Sequence, residues 1–118
     1  MILCILDDLL FSVKIKTAAK ALGVDVSFER TPELVLPRIR EKQPSLVIFD
    51  LNSAKMRPME AIAAMKADAA LAPIQTLGFV SHVDSTAIAA ARAAGIDQVL
   101  ARSAFTAQLG DILSAGTP

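Results

Sequence analysis

The chain has 118 residues, with 12 basic and 12 acidic side chains, so its formal charge at pH 7 is zero. Its residues are 53% hydrophobic and only 4% aromatic, enough for one apolar core but with no room for a second domain carrying output. Neutral charge without a basic run argues against a dedicated nucleic-acid or anionic-membrane binder, and the single cysteine, Cys4, excludes a disulfide scaffold.

Taken in chain order, short β-rich runs appear at Ile2–Leu6, Val24–Phe28, Leu46–Phe49, Ile74–Phe79 and Gln98–Ala101. The first, third and fourth are nearly continuous in apolar residues, as expected of strands covered on both faces of a parallel sheet. In the second, Asp25 and Ser27 alternate with Val24, Val26 and Phe28, which predicts a half-exposed edge strand. Asp7 and Asp8 interrupt the apolar start with no basic residue ahead of them, unlike a signal peptide. No apolar stretch nears the roughly 18 residues of a membrane span. A cytoplasmic location is expected.

Between the runs lie segments of helical period. In the first, Leu10, Val13, Thr17, Ala18 and Ala21 share one face, with Ser12, Lys16 and Lys20 opposite. Thr31-Pro32-Glu33 predicts an N-cap and a first-turn proline for the second. Pro37 then demands a kink, or a helix that begins near Leu36. The region Asn52–Pro58 is expected as a loop, followed by a helix to about Ala69. Asp84-Ser85-Thr86 offers a cap for an Ala-rich fourth helix, while Gly23 and Gly95 stand where helices stop. Arg38, Arg40, Glu41 and Lys42 read as a solvated face, and Cys4 as a small buried hydrophobe. Five β segments alternating with five helical ones make an α/β, (βα)5 chain. Right-handed crossovers then wind a parallel five-stranded sheet on both faces, with expected order 2-1-3-4-5.

In that order the ends of the first and third strands are neighbours, so Asp7, Asp8 and Asp50 converge where this architecture opens a crevice. Clustered carboxylates repel unless one keeps its proton or a cation neutralises them. A Mg²⁺ ion, which takes oxygen ligands, is one solution; solvated acids at loop ends are the other. No Gly-rich phosphate loop follows the first strand, and one His with one Cys makes no zinc site.

Leu6-Asp7-Asp8, Phe49-Asp50-Leu51-Asn52 and Gly95-Ile96-Asp97 resemble the receiver domain of bacterial two-component response regulators, over essentially the whole chain. The resemblance implies the flavodoxin-like receiver fold and a phosphoacceptor protein rather than a turnover enzyme. Asp50 would accept a phosphoryl group from a histidine kinase or phosphotransfer protein. Mg²⁺ would be held by Asp7, Asp8, Asp50 and the backbone carbonyl of Asn52. The output would be an effector protein or a homodimer through the surface from the fourth to the fifth helix, with neither nucleic acid nor membrane bound directly.

Several positions depart from the family pattern. Counting five residues from Pro73 places Gly78, without a hydroxyl, where a Thr or Ser is usual; Ser81 follows as a possible substitute or as a plain loop serine. Arg102 stands for the family lysine, with its side chain expected to face Asp50, and Ser103 stands for the following proline. Val99 replaces the aromatic switch, and Ser53-Ala54 and Arg57-Pro58 replace the usual loop residues. His82 lies on the same face, as an ion-pairing group or a simple loop histidine. Two readings stay open: a phosphorelay receiver, and a phosphorylation-independent atypical receiver whose acidic pocket Arg102 neutralises.

Overall fold

The computed structural model describes residues 1–81 and 84–116. Its strands are β1 (Ile2–Ile5), β2 (Val26–Glu29), β3 (Leu46–Asp50), β4 (Gln75–Val80) and β5 (Gln98–Ala101), all parallel, in the order β2-β1-β3-β4-β5. The helices are α1 (Leu9–Leu22), α2 (Val35–Lys42), α3 (Pro58–Ala67), α4 (Ser85–Ala94), α5 (Arg102–Ala107) and α6 (Leu109–Ala115). The expected fifth helix is therefore two short ones, broken at Gln108. Among the described residues no helix is long and apolar enough to cross a membrane.

Strand alternation divides the core into two layers. Leu3, Ile5, Val47 and Phe49 pack against Val35, Ile39, Ile62, Met65 and Ala91 of α2, α3 and α4. Ile2, Cys4, Leu6, Ile48 and Phe79 pack against Phe11, Ile15, Phe105, Leu109 and Leu113 of α1, α5 and α6. Burial pushes the Cys4 thiol well up, so it stays a neutral core group as expected.

The buried side of α1 is not the predicted one. Phe11, Ile15 and Ala19 face the core, whereas Leu10 and Val13 are 86% and 60% exposed. Both stripes repeat at helical spacing, and the larger Phe11 and Ile15 fill the layer beside Phe79 and Phe105.

Other local signals behave as their chemistry requires. Asp84 caps α4 by accepting from the Ala87 N–H at 2.9 Å, and Gly23 and Gly95 end α1 and α4 in the left-handed region. Thr31 makes no side-chain cap; a single 3-10 turn at Pro32–Leu34 leads into α2 instead. Pro37 falls in the first turn of α2, where its missing N–H breaks no ladder. Arg38 and Arg40 are engaged rather than merely solvated: Arg38 Nε lies 3.3 Å from Glu29 Oε1, and Arg40 Nη2 lies 3.3 Å from Asp68 Oδ2.

Gln43 closes α2 at φ 45°, a strained conformation for a residue with a Cβ. Gln43→Gly should raise stability by about 0.5–1 kcal/mol, the strain relieved exceeding glycine's added chain entropy. A thermal scan showing a lower midpoint would contradict this.

Candidate functional site

Three carboxylates reach one rim of the sheet by different routes. Asp8 follows β1 and caps α1, its Oδ1 accepting from the Phe11 N–H at 3.0 Å. Its Oδ2 accepts from Arg102 Nη2 at 2.8 Å, across 94 residues of chain. The Phe11 N–H and then the Arg102 guanidinium hold the Asp8 carboxyl below its ordinary range.

Asp50 ends β3 and is only 7% exposed. It shares its side of the sheet with Ile48 and Phe79, the residue opposite it on β4. Its Oδ1 accepts from the Asn52 N–H at 3.0 Å. Burial nevertheless pushes its carboxyl up; the Asn52 bond and the Arg102 charge oppose that rise, and the Asp8 charge adds to it. Asp8 and Asp50 therefore feel one another across the notch.

Arg102 directly follows β5, whose bounds are those expected, and is the first residue of α5. It hydrogen-bonds Asp8 rather than Asp50, and acts on Asp50 through its charge. The guanidinium carbon sits 4.1 Å from the Phe11 ring centroid and 5.5 Å from that of Phe79. Phe11, Phe79 and Phe105 pack together beneath it, with centroids 4.9–5.8 Å apart. A planar cation suits this position, bonded edge-on to a carboxylate and resting on aromatic faces.

Asp7 turns outward. Lys55 Nζ lies 3.3 Å from its Oδ2, and Arg30 Nε 3.8 Å from its Oδ1. The sequence reading missed both cations, since Arg30 arrives from beyond β2 and Lys55 from the loop after β3, with no shared motif.

Asn52 holds two loops together through its side chain. Its Nδ2 donates to Asp84 Oδ2 at 2.6 Å, and its Oδ1 accepts from the Ser81 N–H at 2.8 Å. Gly78 lies inside β4, which runs from Gln75 to Val80, one residue later than the expected Ile74–Phe79. It pairs with Phe49 on the sheet face away from Asp50, and a Cβ there would lie 2.6 Å from Leu51 Cδ1. Ser81 is the residue that leaves the strand at the notch. His82 lies outside the described residues. Val99 is half-buried against the core layer of α2–α4, as a strand residue.

These partners bear on whether a divalent ion fits. Both Asp8 oxygens are engaged, one by the Phe11 N–H and one by Arg102, while Asp7 faces two cations. Among the described residues no three His, Cys, Asp or Glu groups are gathered closely enough to hold a metal. In the arrangement present a divalent ion would have to displace Arg102 from Asp8, and Lys55 and Arg30 from Asp7, to be held there. The site is an acidic notch answered by cations of the chain itself.

No protein-family model matches the chain. No curated protein matches it either. Solved structures do. A response regulator from Hahella chejuensis superposes with TM-score 0.82 at 15% identity, covering 98% of this chain and 93% of that one. The chemotaxis response regulator CheY4 of Vibrio cholerae gives TM-score 0.82 at 15% identity, covering 98% and 96%. The Mn²⁺-bound form of response regulator Rcp1 gives 0.79 at 18%, covering 96% and 91%. The chain has the fold of response regulator receiver domains.

Proposed function

We propose that this chain is an atypical receiver: a signalling module that presents one fixed conformation to a partner protein without phosphoryl transfer or a metal. The observation that carries this reading is the Arg102–Asp8 hydrogen bond at 2.8 Å, made over the Phe11 ring. A guanidinium is always charged, so it neutralises the notch at every physiological pH. Lys55 and Arg30 do the same at the outer carboxylate, Asp7. Asn52 ties the loop after β3 to the loop before α4, which favours a single arrangement of the surface above the notch.

The second reading is a phosphorelay receiver with Asp50 as acceptor and Mg²⁺ held by Asp7, Asp8, Asp50 and the Asn52 carbonyl. It is favoured by the placement of Asp50 at the end of β3 beside Asp8, and by the Mn²⁺ carried by the Rcp1 structure. Incubation with acetyl phosphate and Mg²⁺, followed by intact mass, separates the two. The fixed module predicts an unmodified protein; a phosphoryl adduct that disappears in Asp50→Asn would establish the relay instead.

Stability provides an independent check. Because burial raises the Asp50 carboxyl, its charged form opposes folding above its folded pKa, and this penalty vanishes below the ordinary carboxyl range. Asp50→Asn should therefore raise the melting temperature near pH 7 by about 2–5 °C, and the two proteins should converge below about pH 4. Asp8 has the opposite sign. Its contribution is present above the unfolded pKa and is lost as pH falls through the depressed folded value. A lower melting temperature for Asp50→Asn at neutral pH would show that the buried charge is compensated from elsewhere.

A further inference from the structure

Between α6 and the amino ends of β3, β4 and β5 we infer a binding site for a small organic cation, an ammonium group carried on an apolar body. The site lies at the opposite end of the strands from the notch, and the inference does not depend on the function proposed above. A cavity of about 530 Å³ opens there, within the size range of pockets that hold small molecules. Its floor is apolar, with Leu46 and Leu77 from the sheet and Ile112 and Ala115 from α6.

The course of α6 leaves this space open. After the break at Gln108, Leu109 and Leu113 turn into the layer that holds Phe11 and Ile15 of α1. The far end of α6 is pinned by the Ser45 hydroxyl, which donates to the Gly116 carbonyl and lies 3.1 Å from that of Met1. Ile112 is only partly buried, so α6 lines the space beside β4 and β5 without filling it. Glutamines stand where this layer is otherwise apolar. Strand alternation puts Gln75 on the side of Leu77 and Phe79, and Gln98 on the side of Leu100. Gln75 is opposite Leu46 in the sheet, and Gln98 is opposite Leu77. Neither side-chain amide has a hydrogen-bond partner among the described residues.

Charge decides the occupant. Asp97 and Asp111 line the cavity, and no Lys, Arg or His does. Asp97 is partly answered from outside the cavity, its Oδ2 accepting from Lys66 Nζ at 3.0 Å and from the Thr76 N–H at 2.8 Å. Asp111 makes no ion pair among the described residues. An anion is repelled here, and a plain hydrocarbon would desolvate the carboxylate and amides without giving them partners. An ammonium group donates to a carboxylate and to amide oxygens, while the body that carries it covers the Leu46 and Leu77 floor.

The experiment titrates the isotope-labelled full chain with phenethylammonium, and with phenethyl alcohol, hydrocinnamate and spermidine as comparisons. The ammonium should bind at least tenfold more tightly than each of the other three, with the largest amide shifts at Leu46, Leu77, Gln98 and Ile112. Asp111→Asn should weaken its binding at least fivefold. Ala115→Leu, which sets a larger side chain in the cavity, should do the same. Both positions are exposed, so the ligand-free variants should keep the wild-type melting temperature. Equal affinity for the alcohol or for hydrocinnamate would leave the carboxylates without a role, and equal affinity for spermidine would leave the apolar floor without one. Shifts centred on Asp8 and Asp50 would move the cation to the notch. Each of these results, an absence of binding, or unchanged affinity in both variants would overturn the proposal. No arm uses metal or acetyl phosphate, so failure here is distinct from failure of the notch reading.

Discussion

Phe79→Ala should cost about 3–5 kcal/mol, the range for truncating a fully buried aromatic residue in a close-packed core. Phe79 is 1% exposed and touches the rings of both Phe11 and Phe105 at 4.9 Å. It also stands opposite Asp50 in the sheet and contributes to the platform under Arg102. Its loss therefore opens a cavity and loosens the guanidinium together. Urea unfolding should show the midpoint falling sharply with the slope unchanged. A loss below about 1 kcal/mol would mean that the neighbouring rings collapse into the space, and that the platform is more deformable than its packing indicates. Phe79→Leu should recover a large part of the loss without recovering the stacked support for the guanidinium.

Arg102→Ala should lower stability by about 2–3 kcal/mol, combining a half-exposed ion pair with a cation resting on an aromatic face. The Asp8 and Arg102 side chains are 37% and 42% exposed, so the pair alone accounts for the smaller part. The remainder comes from lost packing on Phe11 and from Asp50, which would lose the positive charge that eases its ionisation. Added Mg²⁺ should leave the wild-type melting temperature in place and raise that of Arg102→Ala, because the variant exposes uncompensated carboxylates. Arg102→Lys should fall between the two, retaining charge without the planar stack. A variant as stable as wild type, or a wild-type protein stabilised strongly by Mg²⁺, would remove the guanidinium from its assigned role.

Much of this arrangement can be read from the chain, and the failures have physical causes. The strands are legible because continuous apolar runs such as Leu3-Cys4-Ile5 and Leu46-Val47-Ile48-Phe49 have few other uses in so short a segment. The gathering of Asp8 and Asp50 at one rim follows from strand order alone. The inward side of α1 does not, because Leu10/Val13 and Phe11/Ile15 have equivalent periodicity and only the shape of the opposing layer selects between them. Gly78 falls five residues after Pro73, but the face it meets is set by pairing with Phe49, away from Asp50, which no count along the chain reveals. Position alone aims Arg102 at Asp50; at the start of α5 its guanidinium reaches Asp8 instead. Lys55, Arg30 and the Asn52–Asp84 bond join residues distant in sequence and carry no local signature.

The bond between Asp8 and Arg102 also has a consequence for the order of events during synthesis. Its two ends are 94 positions apart, so a chain emerging amino end first displays all three notch acids well before their guanidinium counterpart leaves the ribosome. Closing so long a loop is entropically late as well as temporally late. Until then the apolar floor formed by Phe11 and Phe79 lacks its lid, and Asp8 and Asp50 face one another without the guanidinium. A nascent chain arrested before that point should be the species most dependent on holding factors, and the arrival of Arg102 with Phe105, Leu109 and Leu113, which complete the same layer, should relieve that dependence.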